Sequence, residues 1–285
     1  PVCCLTNPFL GHEAEPLEKA EEPKKVMVIG GGVAGLSAAF IAKERGHEVT
    51  LYEAGDVLGG NMRLAAYPPG KGDITNMIRS YIHRCQKDGV KIVMNCEVTP
   101  ELIKEEKPDS VIIATGSKTL ILPIEGIDNP AIIHGSDLLD GKRAAGKKVL
   151  VVGGGMVGCE TAAFLGEQEH DVTVIEFRDT VGADVIHEHR VYLMKDFEDY
   201  GIKEITGAKV CKFYEDGVEY ETADGVRHES RGYDSVILSM GFRNYNPLEE
   251  KIKDLVPETH VIGDAIRARR ALDATKEAYE VASRI

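Results

Sequence analysis

"KKVMVIGGGVAGLSAAFIAKERGHEVTLYEAGDVLGG" occupies Lys24–Gly60, and its reading decides the fold. An apolar run ends in three glycines, an alanine-rich segment follows, and a second apolar run ends at Glu53. That order spells buried strand, glycine turn, helix and second strand. "KKVLVVGGGMVGCETAAFLGEQEHDVTVIEFRDTVGA", beginning at Lys147, repeats it at an offset of 123 residues. The register holds without a gap from Val26/Val149 to Gly59/Gly182 and sets Gly32 on Gly155, Gly35 on Gly158, His47 on His170 and Glu53 on Glu176. "DSVIIATG" (Asp109–Gly116) and "DSVILSMG" (Asp234–Gly241) are a second matched pair, each a buried strand running into glycine. The chain therefore carries two copies of one unit. The fold class expected is α/β, with two Rossmann-like dinucleotide-binding domains.

The spacing carries chemistry. In G-x-G-x-x-G the first glycine permits the tight turn, the second lets a pyrophosphate approach the backbone, and the third lets helix and strand pack closely. The helix N-terminus then offers unpaired N–H groups to the phosphates. Gly30, Gly32 and Gly35 form one such set, and Gly153, Gly155 and Gly158 the other. Glu53 and Glu176 each follow their first glycine by 23 residues, close to the ~20 at which an acid reaches a ribose 2′-OH. A single motif of this kind is weak. Two copies, each between strand and helix with its acid in place, point to two dinucleotides.

Composition narrows the class. The 285 residues are 43% hydrophobic and 28% charged, enough for two ordinary domains. A net charge of -13 argues against binding a nucleic-acid backbone. No apolar run approaches the ~20 residues of a membrane span, and the N-terminus lacks the basic and apolar regions of a signal peptide. Cys3, Cys4, Cys85, Cys96, Cys159 and Cys211 are scattered and form no C-x-x-C pair. That usage suits thiols in a reducing, cytoplasmic compartment.

Two dinucleotide sites in one chain resemble the two-domain flavoproteins in which a nicotinamide domain is inserted into a flavin domain. Ala114-Thr115-Gly116 matches the ATG tripeptide of that family, and Gly263-Asp264 in "HVIGDAIRARRALDATKEAYEVA" matches its late Gly-Asp. Disulfide reductases of this type need a cysteine pair just after Gly59-Gly60 or a C-x-x-C in the inserted domain; the sequence has neither. Instead, "CLTNP" (Cys4–Pro8) and "NMRLAAYPPGKGDI" (Asn61–Ile74) are similar to the 2-enoate and 2,4-dienoyl-CoA reductases, with trimethylamine dehydrogenase a more distant relative.

The resemblance implies a layout and a set of residues. Residues 1–23 would be an arm or linker after a cluster region, 24–130 and 242–285 the two parts of the FAD domain, and 131–241 the inserted NADH domain. FAD would contact Gly30, Gly32, Val33, Ala34, Gly35, Glu53, Gly60, Asn61, Arg63, Val98, Ala114, Thr115, Gly116, Gly263, Asp264 and Leu272. Asp264 would hold the ribityl chain, and the helix from about Ala271 would face the flavin pyrimidine. NADH would contact Gly153, Gly155, Met156, Val157, Gly158, Glu160, Glu176 and Gly241. Cys4 matches the fourth ligand of a [4Fe-4S] cluster; Cys3 has no counterpart. An FMN-bearing barrel and the other ligands belong to an upstream region or a partner subunit. The chain is thus expected to be a segment of a larger enzyme, passing electrons from NADH to FAD, cluster and FMN for C=C reduction. No general acid or base is assigned, and His134, Tyr67 and Cys159 are read as packing. Two alternatives stand beside this reading. One is a stand-alone NAD(P)H:acceptor reductase or electron-transfer subunit, like the small subunit of glutamate synthase. The other is a module holding ADP in place of FAD. Substrate and oligomeric state are not legible.

Overall fold

The computed structural model describes residues 3–285. Two compact units emerge. One holds the residues up to Arg63, Asp73–Lys118 and Arg243–Ile285; the other holds Leu64–Gly72 and Thr119–Phe242.

The first unit opens with β1 (Lys25–Ile29), α1 (Val33–Glu44) and β2 (Glu48–Tyr52), then α2 (Asp73–Lys87), β3 (Lys91–Val93), α3 (Pro100–Glu106) and β4 (Ser110–Ile113). β5 (Ser117–Thr119) carries the chain out. In the second unit, β6 (Ile133–His134) and α4 (Gly135–Leu139) precede β7 (Lys148–Val152), α5 (Met156–Glu167), β8 (Asp171–Ile175), α6 (His187–Asp199) and β9 (Lys203–Ile205). An antiparallel meander, β10 (Lys209–Tyr214), β11 (Gly217–Glu221) and β12 (Arg227–Ser230), leads to β13 (Ser235–Leu238). β14 (Phe242–Asn244) brings the chain back, and α7 (Glu249–Ile252), β15 (Glu258–Val261) and α8 (Ala271–Ala282) complete the first unit.

The two main sheets share a four-strand pattern, β4-β1-β2-β3 and β13-β7-β8-β9, and differ in the fifth strand, which is the last of its unit in one (β15) and the first in the other (β6). Their orders are β15-β4-β1-β2-β3 and β6-β13-β7-β8-β9, with every pairing parallel. Lys25 pairs with Glu48 in one and Lys148 with Asp171 in the other, so the 123-residue offset survives in the strand register. Strand order reverses at β1 and at β7, and such switch points open a crevice beyond the carboxyl ends of the strands. The expected α/β class with two Rossmann-like domains is the observed one.

Burial explains the local sequence. β4 and β13 are buried at every position, as strands covered on both faces must be. α1 is buried from Val33 to Ala42 because the sheet lies on one side and α8 on another. α8 presents Ala274, Ala278 and Ala282 to that packing, small side chains that let two helices come close. α2 is amphipathic by contrast, with Met77, Ile78, Tyr81 and Cys85 buried on one face.

The unit boundaries differ from those expected. The crossing falls at 118/119 instead of 130/131, and residues 64–72 group with the second unit. Packing is the reason for that excursion: Tyr67 meets Phe164 edge-on and Lys71 pairs with Glu160. The described residues of the arm also belong to the first unit. Leu5, Phe9 and Leu17 pack on its core, the Tyr81 hydroxyl donates to the Leu5 carbonyl at 2.8 Å, and Arg84 lies over the Phe9 ring. Among the described residues, no helix is long and apolar enough to cross a membrane.

Candidate functional site

Each glycine of the two motifs does a separate job in the backbone. Gly30 and Gly153 turn at φ +108° and +107°, a region that strains any L side chain. A Cβ on Gly35 would overlap the Gly30 carbonyl, and one on Gly158 the Gly153 carbonyl, so helix and turn sit as close as glycine allows. Gly32 differs: a Cβ there meets nothing within 4 Å. That open face over the second glycine is the approach a pyrophosphate needs. α1 starts at Val33 behind Gly32, which has no capping side chain, and its first internal bond is Leu36 N–H to the Gly32 carbonyl. The N–H groups of Val33, Ala34 and Gly35 therefore have no partner within the helix.

The acids are held the same way twice. Glu53 accepts from Gly31 N–H at 2.7 Å with Oε2 and from Gly55 N–H at 2.7 Å with Oε1. Glu176 accepts from Gly154 N–H at 2.6 Å with Oε2 and from Arg178 N–H at 2.9 Å with Oε1. Two backbone donors aim each carboxylate, and each oxygen keeps a lone pair for a ribose hydroxyl.

In the first unit a cavity of about 120 Å³ opens beside Gly30, Glu53, Val98 and Thr115. Ala114 is buried below the first glycine. Thr115 and Gly116 are tied to Tyr245, the hydroxyl donating to its carbonyl and the Gly116 carbonyl accepting its N–H. A Cβ on Gly60 would stand 3.1 Å from Gly32 Cα, and the Arg63 stem lies over Gly59. Gly263 fits against Ala34 and Ala274, a Cβ there standing 3.1 and 3.2 Å away, which sets Asp264 at the start of α1. Asp264 accepts from Ser117 Oγ–H at 2.9 Å and Arg269 N–H at 3.0 Å; Asn61 donates to Ser117 Oγ at 3.3 Å. Leu272 follows in the first turn of α8, where Asp273 accepts from Arg270 N–H. Ser117 is missed by motif reading, although it directly follows the ATG tripeptide.

In the second unit a larger cavity, about 320 Å³, is lined by Gly153, Gly155, Met156, Val157, Glu176 and Gly241, with Phe177, Arg178 and Asp184 at the same opening. Gly158 packs beneath it. Glu160 does not line this cavity. Its carboxylate, 7% exposed, pairs with Lys71 and lies 3.4 Å from His189 Nε2. Lys71 stands in a loop that carries no periodic signal, so its role is not legible in the sequence. Cys159 is buried, donates to the Gly154 carbonyl at 3.2 Å and is pushed up to about 12 by burial. That is a packing thiol, not a nucleophile.

Cys4 has a different environment. It is half-buried, with Sγ 3.2 Å from Thr6 Oγ1. That hydroxyl, together with the Thr6 and Asn7 backbone, holds the thiol below its ordinary value. Donors around sulfur favour thiolate, the ligating form. Among the described residues no group of three or more His, Cys, Asp or Glu could hold a metal ion, so the described residues do not assemble the four thiolates of a [4Fe-4S] cluster.

Both units thus fit a dinucleotide, and comparison with known proteins agrees. The family described as "Pyridine nucleotide-disulphide oxidoreductase" matches residues 24–262. The chain is 35% identical over 288 residues to cinnamate reductase of Clostridium sporogenes, covering 100% of this chain and 43% of the relative. It is 34% identical over 290 residues to an NADH oxidase of Thermoanaerobacter brockii, covering 99% and 44%. A solved 2-naphthoyl-CoA reductase, in complex with 2-naphthoyl-CoA, superimposes with a TM-score of 0.93 at 33% identity, covering 99% of this chain and 43% of that one. The chain spans less than half the length of these relatives.

Proposed function

The chain belongs to the pyridine nucleotide-disulphide oxidoreductase family, and from that premise we propose that it is the NADH-oxidising flavoprotein segment of an enoate-type reductase. The observation that carries this is the doubled loop: Glu53 on Gly31 and Glu176 on Gly154, with matching geometry at two strand-order switch points. The first unit holds FAD. Glu53 takes the adenosine ribose, the open N-terminus of α1 the pyrophosphate, and Asp264, steadied by Ser117, the ribityl hydroxyls. The second unit holds NADH, with Glu176 on its adenosine ribose. When bound, the flavin supplies the link between a two-electron hydride donor and a [4Fe-4S] cluster and FMN barrel that lie outside these residues, where an activated C=C bond is reduced. This chain's residues bind and orient, and Cys4 contributes one cluster ligand. Relatives named for cinnamate and 2-naphthoyl-CoA support the substrate class.

The test is anaerobic. Protein loaded with FAD shows the oxidised-flavin band near ~450 nm, a property of the cofactor, and NADH bleaches it. The same protein reduces ferricyanide but no enoate. Extraction of only ADP or AMP from purified protein overturns the flavin assignment, and enoate turnover by this chain alone overturns the placement of the substrate site elsewhere.

A further inference from the structure

The two units repeat one loop, yet the charge at their helix N-termini differs. The register that joins Gly59 to Gly182 continues to pair Asn61 with Asp184, and both loops are anchored alike, Gly59 N–H on the Gly31 carbonyl and Gly182 N–H on the Gly154 carbonyl. In the first unit Asn61 turns its amide to Ser117, and the space over Gly32 is open. In the second, Asp184 Oδ1 accepts from Met156 N–H at 2.9 Å, the first residue of α5. A Cβ on Gly155 would stand 3.3 and 3.5 Å from the two oxygens of that carboxylate. Asp184 also lines the second unit's cavity. The face over the second glycine is thus open in one copy and covered by the chain's own anion in the other.

We infer that Asp184 sets the affinity of the nicotinamide nucleotide site, a reading that rests on the second unit being that site. Its carboxylate holds the N-terminus of α5 in the free protein and is displaced when the nucleotide's pyrophosphate arrives. One anion then replaces another at the helix end, so the net gain from the helix dipole and its N–H groups is reduced. Asp184 is exposed and can rotate outward without disturbing the core. The asymmetry suits the two nucleotides. A flavin stays bound through turnover, whereas a nicotinamide nucleotide has to leave after each hydride, and a weaker hold on its pyrophosphate speeds that exchange.

The test uses FAD-saturated protein and Asp184→Asn, whose amide oxygen can still accept from Met156 N–H but carries no charge. Dissociation constants are measured by calorimetry for NADH, for ADP (a pyrophosphate without nicotinamide) and for adenosine (no phosphate). NADH and ADP are expected to bind the variant about three- to tenfold tighter, with the gain shrinking as salt rises, adenosine unmoved and flavin content unchanged. Asp184→Ala, folded by circular dichroism, is expected to show a gain of the same order. Unchanged or weaker binding of NADH and ADP by Asp184→Asn, with wild type binding both, overturns the role of Asp184 and leaves the site standing. An equal gain for adenosine also overturns it, because the effect would not act at the phosphates. Wild-type protein that binds neither NADH nor NADPH removes the site itself, and the inference with it.

Discussion

Replacing Glu176 by alanine is expected to abolish a preference for NADH over NADPH. The wild-type carboxylate is half-buried and held by Gly154 N–H at 2.6 Å and Arg178 N–H at 2.9 Å. It is therefore already aimed when a ribose arrives. A hydrogen bond to a charged group contributes about 1.5–3 kcal/mol, so losing the ribose contact lowers kcat/KM for NADH about 10- to 150-fold. A 2′-phosphate would face the same carboxylate at close range. Like charges at 4 Å repel by about 1 kcal/mol in water and about 4 kcal/mol near a protein surface. Partial exposure favours the lower end, about 1–2 kcal/mol, and the variant relieves it. The ratio of kcat/KM for NADH to that for NADPH should fall by about 2.5–5 kcal/mol, roughly 70- to 5,000-fold. Arg178, two residues on, is then left as a cation with no adjacent acid at Glu176, which moves the ratio the same way. The assay is ferricyanide reduction by FAD-saturated protein with each nucleotide. Gly154 is buried, so its orphaned N–H costs the fold a further ~1–3 kcal/mol; Glu176→Gln restores one acceptor and separates that loss from specificity. Wild type with a higher kcat/KM for NADPH, or a ratio unmoved in Glu176→Ala, would refute the reasoning.

Three further outcomes are expected. Asp264→Ala removes the acceptor of Ser117 and a ribityl contact, so FAD is held ~10- to 150-fold less tightly while NADH affinity stays within twofold, roughly the scatter expected of an independent site; equilibrium dialysis of both nucleotides checks it, and equal losses of both would count against separate sites. Lys71→Met leaves the Glu160 carboxylate with only His189 beside it and destabilises by about 3–5 kcal/mol; urea melts should show the loss, and Lys71→Met combined with Glu160→Gln should recover most of it. His47 is buried, and desolvation lowers its pKa from 6.5 in the fold. The sign follows from linkage: the unfolded chain binds the proton more readily, so stability is present above pH 6.5 and is lost as pH falls through the lower folded value. The slope of unfolding free energy against pH in that window should flatten in His47→Gln, and an unchanged slope would remove His47 from the account.

The doubled βαβ unit is legible in the sequence because its signals are local. A strand-length apolar run, a glycine that must take positive φ at Gly30 or Gly153, and an acid 23 residues on are each decided within a few dozen residues. The 123-residue offset then survives into strand register unchanged. The domain limits are less legible. Residues 64–72 have no periodicity of their own, and packing against Glu160 and Phe164 places them.

Tertiary structure decided which partners the charged groups keep. Ser117 meets Asp264 across 147 residues, Lys71 meets Glu160 across 89, and Asp184 reaches Met156 across 28. None of these separations follows a helical or strand period. Each pair joins groups far apart in sequence that come together only once the strands have paired into their open parallel sheets, where polar groups on loops and helix ends satisfy one another. Sequence named the glycines of both loops, because backbone sterics restrict those positions to glycine, and it named Glu53 and Glu176 by their 23-residue spacing from those glycines. It did not reveal that one site is open and the other covered by Asp184, because that depends on where a side chain from another loop comes to rest once the strands have paired.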